Sequence, residues 1–446
     1  MMQFPQYESY KDSGVEWLEE IPNDWKLKKI KYSCYVKGRV GWHGLSSNEY
    51  SDEGAFLVTG TDLSDGIVNW VSCHHISFQR YEEDKYIQLK ENDLLITKDG
   101  TIGKLAVVKN LPDKATLNSG IFLVRSLSSK LNILFLKYLL ASNIFYKFLD
   151  YFQTGATVKH LYQETFGNFQ YPLPSLEEQQ KIVNFLDQKT AEIDEAIAKK
   201  QKLIELLQEQ KAILINRAVT KGLNPNVTMR DSGIEWIVEI PEHWEIKKLK
   251  HISKVQSGIT LGKVYTGNNL VTYPYLRVAN VQYGYFALED VAELTLPEEI
   301  SNKYFIKPGD ILVTEGGDID KLGRGTVWEG QIEKCLHQNH IFAIHIIQKY
   351  ASEYFVSLSM GSDYGRKYFT TTGIQTTNLA STNKTKLGNL PILLPPKEEQ
   401  LKIVDHAQKI EEKYLHIINL TAQEINSLQE LKQVMISNAV TGKIKI

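Results

Sequence analysis

Two stretches of the chain have nearly the same sequence. Residues 12–29 read DSGVEWLEEIPNDWKLKK and residues 231–248 read DSGIEWIVEIPEHWEIKK, with 11 of the 18 positions identical. Two unrelated stretches of this length would share about one position. The match therefore indicates an internal duplication in which position 12 corresponds to position 231.

The duplication extends along the whole chain. Residues 173–183 (LPSLEEQQKIV) match residues 394–404 (LPPKEEQLKIV), and AVTKG at 218–222 matches AVTG at 439–442. All of these pairs are separated by nearly the same offset, about half of the chain. The sequence is therefore predicted to contain two copies of one large module rather than an array of short repeats.

Each copy begins with a region that is predicted to be an α+β domain. Short runs of Val, Ile, Tyr, Phe and Thr alternate there with Gly and Asn, as is typical of strands and turns. DLLIT at 93–97 corresponds to DILVT at 310–314, and IFLV at 121–124 corresponds to IFAI at 341–344. A helix is expected to follow the second strand in the first copy, over residues 133–151.

Each copy ends in a segment that is predicted to be one long helix. Residues 177–218 contain no Pro or Gly, and apolar residues recur there at spacings of three and four. The same pattern returns over residues 398–439, which predicts a coiled coil. Prolines before each segment and Gly222 and Gly442 after them are typical helix boundaries. Six seam positions are polar, and they either set the helix register or belong to a solvated face: Thr190, Lys200, Lys211, Glu411, Thr421 and Lys432.

The composition limits the class of protein. The 446 residues contain 51 Lys and Arg against 53 Asp and Glu, a net charge of −2, so a DNA-binding surface would have to be a local patch. Three cysteines without a C-x-x-C motif indicate a reduced, cytoplasmic protein. No apolar stretch approaches the roughly 20 residues of a membrane span.

Motifs of catalysis are absent from the sequence. It has neither the N/D-P-P-Y/F loop and Gly-rich turn of an adenine methyltransferase nor a P-loop, so no enzymatic activity and no cofactor are predicted. His337, His340 and His345 cluster near Cys335, but the first copy has Leu117, Gly120 and Arg125 in place of the three histidines. These histidines are therefore interpreted as polar strand and loop residues that could contact DNA, and no metal site is predicted.

The order of the duplicated motifs resembles that of type I restriction-modification specificity (S) subunits. The resemblance rests on the IP-x-x-W entry, the D-[LI]-[LI]-[IV]-T strand with its glycine loop, the T-G loops at 154–157 and 372–376, and the LP-x-x-EEQ helix start. It covers nearly the whole chain. It implies an α+β fold in which two α/β target-recognition domains alternate with two long helices that pack as an antiparallel coiled coil, a pseudo-two-fold tandem duplication.

The resemblance also implies a domain organisation. The expected boundaries are an N-terminal repeat segment (1–24), target-recognition domain 1 (25–174), a central long helix (175–222), a linker with the second repeat segment (223–243), target-recognition domain 2 (244–393) and a C-terminal long helix (394–446). The helices would act as spacer and as docking platform for the methyltransferase (M) subunits.

The function implied by the resemblance is DNA sequence specificity without catalysis. The chain would bind a bipartite double-stranded DNA target and position two M subunits and, for cleavage, restriction (R) subunits. S-adenosylmethionine would belong to the M subunits, and ATP and Mg²⁺ to the R subunits. The alternative, which the net charge of −2 favours, is a coiled-coil scaffold protein with two protein-binding globular domains.

Candidate DNA-binding residues lie in the loops that differ between the two copies. Lys and Arg bind phosphates, while Arg, Lys, Asn, Gln, Ser and Thr read base edges. The predicted set is Lys98, Thr101, Lys104, Thr157, Lys159, His160, Arg277, Lys321, Arg324, Gln375, Thr376 and Asn378. A solvated loop role is the alternative for each of them. The paired tryptophans of the repeat segments (17 and 25, 236 and 244) are interpreted as core residues, because residues shared by two different readers should be scaffold.

Overall fold

The chain divides into two compact units. The computed structural model describes residues 4–39, 45–152, 160–260, 269–318, 321–375 and 380–446. Unit 1 consists of residues 1–201 and 422–446, and unit 2 of residues 202–421. Each unit therefore combines one β-rich region with parts of both long helices.

In unit 1 a six-stranded sheet lies beside a three-stranded one. The strands are β1 (Tyr10–Asp12), β2 (Glu20–Pro22), β3 (Lys26–Lys29), β4 (Cys34–Gly38), β5 (Ala55–Val58), β6 (Leu63–Ser64), β7 (Ile67–Val68), β8 (His74–Ile76), β9 (Leu94–Thr97), β10 (Leu105–Val107), β11 (Ala115–Leu117), β12 (Ile121–Ser126) and β13 (Gln170–Leu173). The larger sheet has the order β4-β12-β9-β10-β7-β6 and the smaller one β11-β5-β8. The two strand motifs of the sequence are β9 and β12, which are antiparallel neighbours with almost wholly buried side chains.

The helices of unit 1 include a break that the sequence pattern did not predict. They are α1 (Ile30–Ser33), α2 (Phe78–Glu82), α3 (Ile133–Ala141), α4 (Asn143–Phe152) and α5 (Gln163–Gly167). The expected helix over 133–151 is thus two helices. The hydroxyl of Ser142 donates a hydrogen bond to the carbonyl of Leu139 at 2.6 Å, and its backbone is extended. Serine competes in this way with the helical hydrogen bonds.

Both long helices are present. The first, α6, extends over Leu176–Lys221, and at 1.5 Å per residue it is about 70 Å long. It is followed by Gly222 at φ +73°, a left-handed conformation that glycine adopts without strain. A Cβ at this position would also lie 3.0 Å from the Glu399 carboxylate and 3.3 Å from the Trp244 ring.

Unit 2 repeats the frame of unit 1. Its strands are β14 (Met229–Asp231), β15 (Glu239–Pro241), β16 (Glu245–Lys248), β17 (Ser253–Ser257), β18 (Leu270–Leu276), β19 (Ala292–Pro297), β20 (Ile311–Thr314), β21 (Gly316–Gly317), β22 (Gly325–Val327), β23 (Leu336–His337), β24 (Ile341–Ile346), β25 (Ile374–Gln375), β26 (Ala380–Ser381) and β27 (Pro391–Leu394). The order β17-β24-β20-β22 corresponds to β4-β12-β9-β10. The helices are α7 (Glu298–Ser301), α8 (Glu353–Gly361), α9 (Asp363–Thr372), α10 (Lys384–Gly388) and α11 (Lys397–Val440), with α8 and α9 separated at Ser362 as α3 and α4 are at Ser142. The predicted duplication is confirmed.

The long helices pack antiparallel in each unit. In unit 1, Lys200 contacts Glu424 and Lys432 contacts Asp194, each at 2.6 Å, so residue numbers rise along α6 as they fall along α11. In unit 2 the last turns of α6 share a hydrophobic cluster with Ile403 and Val404 at the start of α11. The seam residues Thr190 and Thr421 are buried. Two of the polar seam positions therefore form ion pairs across the helices, and these pairs favour one register.

The paired tryptophans belong to the core. Trp25 and Trp244 are each 1% exposed, and their indole N–H groups donate to Glu178 at 3.1 Å and to Glu399 at 3.3 Å. Trp17 packs against the ring of Phe148. Their interpretation as scaffold is confirmed.

No helix among the described residues combines the length and the apolar character that crossing a membrane requires.

Candidate nucleic-acid interface

In unit 1 the loop after β9 lies next to His160 and Leu161, which follow the T-G motif in the sequence. Asp99 and His160 form an antiparallel bridge, and their side chains are hydrogen-bonded. The amide of Leu161 donates to the carbonyl of Lys98 at 2.8 Å. Two loops that are distant from each other in the sequence are therefore joined at one end of the sheet.

Unit 2 joins the corresponding loops in the same way. Gly316 and Gly317, directly after β20, pair with Ser381 and Ala380, and the backbone of Gln375 pairs with Ala380. The amide of Thr382 donates to the carbonyl of Glu315 at 2.8 Å. In both units a composite surface thus combines the loop after the first strand motif with the described residues beside the T-G motif.

The last residue of the D-x-x-x-T motif braces the loop that follows it. The hydroxyl of Thr97 donates to the carbonyl of Thr101 at 2.5 Å and accepts from the amide of Lys104 at 2.9 Å. The hydroxyl of Thr314 lies 3.5 Å from the carbonyls of Lys321 and Arg324. Both threonines are buried, so this position shapes the loop and does not itself face a ligand.

The predicted residues of unit 1 differ in how accessible they are. Thr101 and Lys104 are exposed, and the Lys104 ammonium has no ion-pair partner within the described part of the chain. The Lys98 ammonium is mostly covered, 5.4 Å from the centre of the Phe122 ring and 3.8 Å from the Asp99 carboxylate. The His160 ring contacts the same carboxylate. Lys104 is therefore the most available cation of this loop.

The predicted cations of unit 2 have partners of their own. Lys321 forms an ion pair with Asp318, and this hydrogen bond lowers the pKa of the Asp318 carboxyl. Arg324 donates to the carbonyl of Val278 at 3.3 Å. Arg277 donates to the highly exposed carboxylate of Asp290 at 2.7 Å, while its buried Nε has no partner among the described residues. To contact DNA through these groups, each of the three side chains would have to exchange its present partner.

Five predicted residues cannot be placed in this interface. Gln375 lies in β25, and its side chain is outside the described residues. The other four are wholly outside the described residues: Thr157, Lys159, Thr376 and Asn378.

The histidines of unit 2 do not form a group. His340 pairs with Glu315 at 2.7 Å and His345 with Asp310 at 3.1 Å. The expectation that His337 is a polar residue open to DNA is wrong: its side chain is fully buried, and burial lowers its pKa to about 4. His337 lies in β23, and the sequence around it gave no indication of this burial. Among the described residues, no three His, Cys, Asp or Glu side chains come together as a metal site.

An aspartate at the start of each strand motif fixes the turn that leads into β9 or β20. Asp93, before β9, accepts from the Lys90 amide at 2.6 Å and pairs with Arg125. Asp310 accepts from the Lys307 amide at 2.8 Å in the same geometry. The presence of an aspartate at the start of both motif copies could have indicated this structural role.

A family profile matches most of the chain. It describes the type I restriction modification DNA specificity domain, and it matches residues 22–206 and 241–430. The chain belongs to this family. The two matches coincide with the two copies of the duplicated module, and the resemblance inferred from the motifs is confirmed.

Relatives of known class match all or most of the chain. The chain is 27% identical over 464 residues to the type I restriction enzyme MjaVIII specificity subunit of Methanocaldococcus jannaschii, an alignment that covers 100% of this chain and 98% of that protein. It is 22% identical over 321 residues to the EcoKI specificity subunit of Escherichia coli, covering 70% of this chain and 65% of that protein.

Solved structures share the fold. A chain from work on complex assembly and conformational transition of the type I R-M system superposes with a TM-score of 0.67 at 17% identity, covering 95% of this chain and 99% of that one. The HsdS subunit from Thermoanaerobacter tengcongensis gives a TM-score of 0.50 at 16% identity, covering 95% of this chain and 98% of that one.

Family membership decides between the two functions that the sequence left open. The chain is a DNA sequence-specificity subunit of the type I restriction-modification class, and it is not a catalytic subunit. The scaffold function that the net charge favoured is set aside.

Proposed function

We propose that residues 25–174 and 244–393 are two target-recognition domains, each of which reads one half of a bipartite DNA site. The observation that carries this proposal is the composite loop surface of each unit, built on equivalent strands but with different side chains. Lys98 and Asp99 in unit 1 stand where unit 2 has Glu315 and Gly316. Two readers that share a frame and differ in their loops suit an asymmetric split target.

Within this interface we assign DNA contacts to the predicted residues on these loops, with Lys104 as the leading phosphate contact of unit 1. An exposed ammonium without an ion partner can neutralise a phosphate without first breaking an internal contact. Arg277, Lys321 and Arg324 would read or bind DNA in unit 2 after exchanging partners.

Replacement of residues 25–174 by the corresponding domain of a related specificity subunit tests the assignment of half-sites. The expected result, from mapping methylated bases in cells that carry the hybrid, is a motif with one half changed and the other half retained. A motif that changes in both halves would contradict one domain for one half-site.

Lys104→Ala tests the assignment of the phosphate contact. Affinity for the cognate duplex should fall several-fold, and the slope of log K against log salt should decrease by about 1. Lys109→Ala is the matched control, because Lys109 lies beyond the other end of β10 and bonds Asn92. Equal losses in both variants would remove Lys104 from the interface.

The long helices, 175–222 and 394–446, form the spacer and the docking surface for partners in this proposal. The subunit works with two M subunits and, for cleavage, with R subunits on double-stranded DNA. Large apolar side chains remain exposed on α6 at Leu203, Leu206 and Ile213, and on α11 at Leu431 and Val434. Exposed apolar stripes on a helix are typical of protein–protein contacts. Directly after the repeat segments, 1–24 and 223–243, Trp25 and Trp244 bond Glu178 and Glu399 in the first turns of the long helices.

A four-residue insertion within 203–207 tests the spacer. It lengthens a helix by about 6 Å, and base pairs rise about 3.4 Å each. The unread gap of the methylated motif should grow by one or two base pairs with both half-sites unchanged. A folded, active variant with the original gap would show that the helices do not set the spacing.

We also propose a cytoplasmic location, where the DNA substrate and the partner subunits meet. The three cysteines support a reducing compartment, since all three are free and buried.

A further inference from the structure

Unit 2 contains an open cleft where α6 ends. The cleft has a volume of about 460 Å³, and Leu214, Val227 and Met229 form part of its apolar wall. Arg217, Lys221 and His406 are its basic residues, and all three are exposed. The described lining contains no Asp or Glu, so the cleft is apolar inside and cationic at its rim.

The basic side chains of this rim are not engaged elsewhere. Among the described residues, the side chains of Arg217, Lys221 and His406 have no hydrogen-bond or ion-pair partner. The nearby carboxylate of Glu399 is bonded to His243 at 2.8 Å and to Trp244 at 3.3 Å. The rim therefore presents positive charge that no described group of unit 2 neutralises.

Unit 1 fills the corresponding place with its own residues. The duplication puts Phe185 at the position of His406 and Met435 at the position of Leu214. The ring of Phe4 packs edge-on against Phe185 with centroids 5.6 Å apart, and Ile444 and Ile446 pack against the same core.

The extra residues of unit 1 explain the difference. In unit 1 the segment around Pro5 meets the segment around Lys445 between the end of α11 and the repeat segment. The amide of Lys445 donates to the carbonyl of Pro5 at 2.8 Å. In unit 2 one continuous stretch, residues 222–228, makes this connection. Among the described residues of unit 2, no second segment supplies the aromatic ring that Phe4 provides in unit 1.

We propose that the unit 2 cleft is a docking site for a segment of the methyltransferase subunit that carries an aromatic side chain flanked by carboxylates. The aromatic side chain takes the place that Phe4 has in unit 1, against Leu214 and His406. The carboxylates pair with Arg217 and Lys221. This inference rests on the proposed assembly with M subunits, and it adds that the two ends of the helix pair dock partners differently.

A protein segment fits the cleft better than DNA does. A duplex backbone would use the cations but leave the apolar wall unfilled, whereas an apolar side chain of a protein would bury that wall and so stabilise the complex. An aromatic anchor in a pocket with an ionic rim is a common arrangement in protein interfaces.

The experiment measures binding of the full chain to purified M subunit. Arg217→Glu/Lys221→Glu should weaken the affinity at least tenfold at low salt, and the difference should shrink at 0.5 M salt, about where screening becomes strong. Lys109→Glu is the charge-reversal control, since Lys109 lies outside both long helices, and it should leave the affinity unchanged. Circular dichroism and cognate DNA affinity confirm folding of each variant.

A second measurement uses a fluorescent peptide with one phenylalanine between glutamates. The wild-type chain should bind it saturably, the double variant should not, and a peptide with alanine for phenylalanine should bind at least tenfold more weakly. Unchanged M affinity in the double variant, or equal binding of the two peptides, would overturn the inference.

Two further outcomes separate the possible failures. If the double variant loses DNA affinity in the absence of M, the cleft is a phosphate contact and the inference is wrong. If the wild-type chain directs methylation of a split motif while its cleft variants bind M normally, the inference fails and the proposed function stands.

Discussion

The two units have the same frame but exchange the partners of their polar side chains. In unit 1, Asp93 directly before β9 pairs with Arg125, whereas in unit 2 Asp310 directly before β20 pairs with His345. The strands, the carboxylate and its bond to a backbone amide are the same. The two copies therefore share the aspartate that fixes the backbone but differ in the side chain that pairs with it.

At one buried position the two units place a large polar side chain on different strands. In unit 1 the buried Arg39 side chain donates to the carbonyl of Leu117 at 2.9 Å. In unit 2 the corresponding pair is Gly258 and His337. A Cβ on Gly258 would lie only 2.0 Å from the His337 carbonyl oxygen and 2.6 Å from its ring Nδ1, so this position has no room for a side chain. The space is therefore occupied by the side chain of Arg39 in unit 1 and by that of His337 in unit 2.

Truncation of the paired tryptophans should give the largest effect and should be equal in both units. Trp25→Ala and Trp244→Ala each remove a fully buried indole and one of the hydrogen-bond partners of a carboxylate, so each should cost about 3–5 kcal/mol of unfolding free energy. Urea titration followed by circular dichroism measures this. The conservative Trp→Phe variants should lose less. A cost below 1 kcal/mol in only one unit would break the equivalence.

Acid should destabilise unit 2 through His337. Burial lowers the folded pKa to about 4, while an unfolded histidine has a pKa near 6.5. The unfolded state binds the proton first, so no stability is lost above pH 6.5, and about 3 kcal/mol is lost as the pH falls from 6.5 to 4.

His337→Leu installs the residue that unit 1 has at this position. The difference in unfolding free energy between variant and wild type should change by about 3 kcal/mol between pH 7 and pH 4 in favour of the variant. Carboxylates titrate in both proteins and cancel in this difference. Parallel pH profiles would show that the proton on His337 has no energetic consequence.

The Asp93 and Asp310 pairs should differ in strength. Arg125→Ala leaves the buried Asp93 carboxylate without its cation, which should cost about 2–3 kcal/mol. His345→Ala should cost below about 1 kcal/mol, because the His345 side chain is 59% exposed and water screens its contact with Asp310. Hydrogen exchange of β9 and β20 peptides gives the two values separately. Equal costs would mean that partner identity does not matter here.

The ion pairs across the helices of unit 1 should have the smallest effect. Lys200→Ala and Lys432→Ala should each cost about 0.2–1 kcal/mol at low salt and nothing measurable at 1 M salt, since all four groups are partly exposed. Thermal unfolding at two salt concentrations tests this. A salt-independent loss would point to packing of the lysine stems instead.

Local sequence determined the large elements of this protein. Short-range patterns predicted the duplication, the strands β9 and β20, and both long helices. Apolar periodicity and Pro or Gly boundaries are visible within a few residues, so they can be read without the fold. The sequence also indicated Trp25 and Trp244 as scaffold through their presence in both copies. It did not indicate the break at Ser142, where a side chain competes with the helix for a single carbonyl.

Tertiary structure decided which polar groups are available. Lys98 and Lys104 look alike in the sequence, yet the ammonium of Lys98 is covered by Phe122 and Asp99 while that of Lys104 is exposed. His337 is buried, and the loop after β9 meets His160, which belongs to a distant part of the sequence. Burial and pairing depend on residues that are far apart along the chain, so no local pattern contains them; only the folded chain brings the partners together.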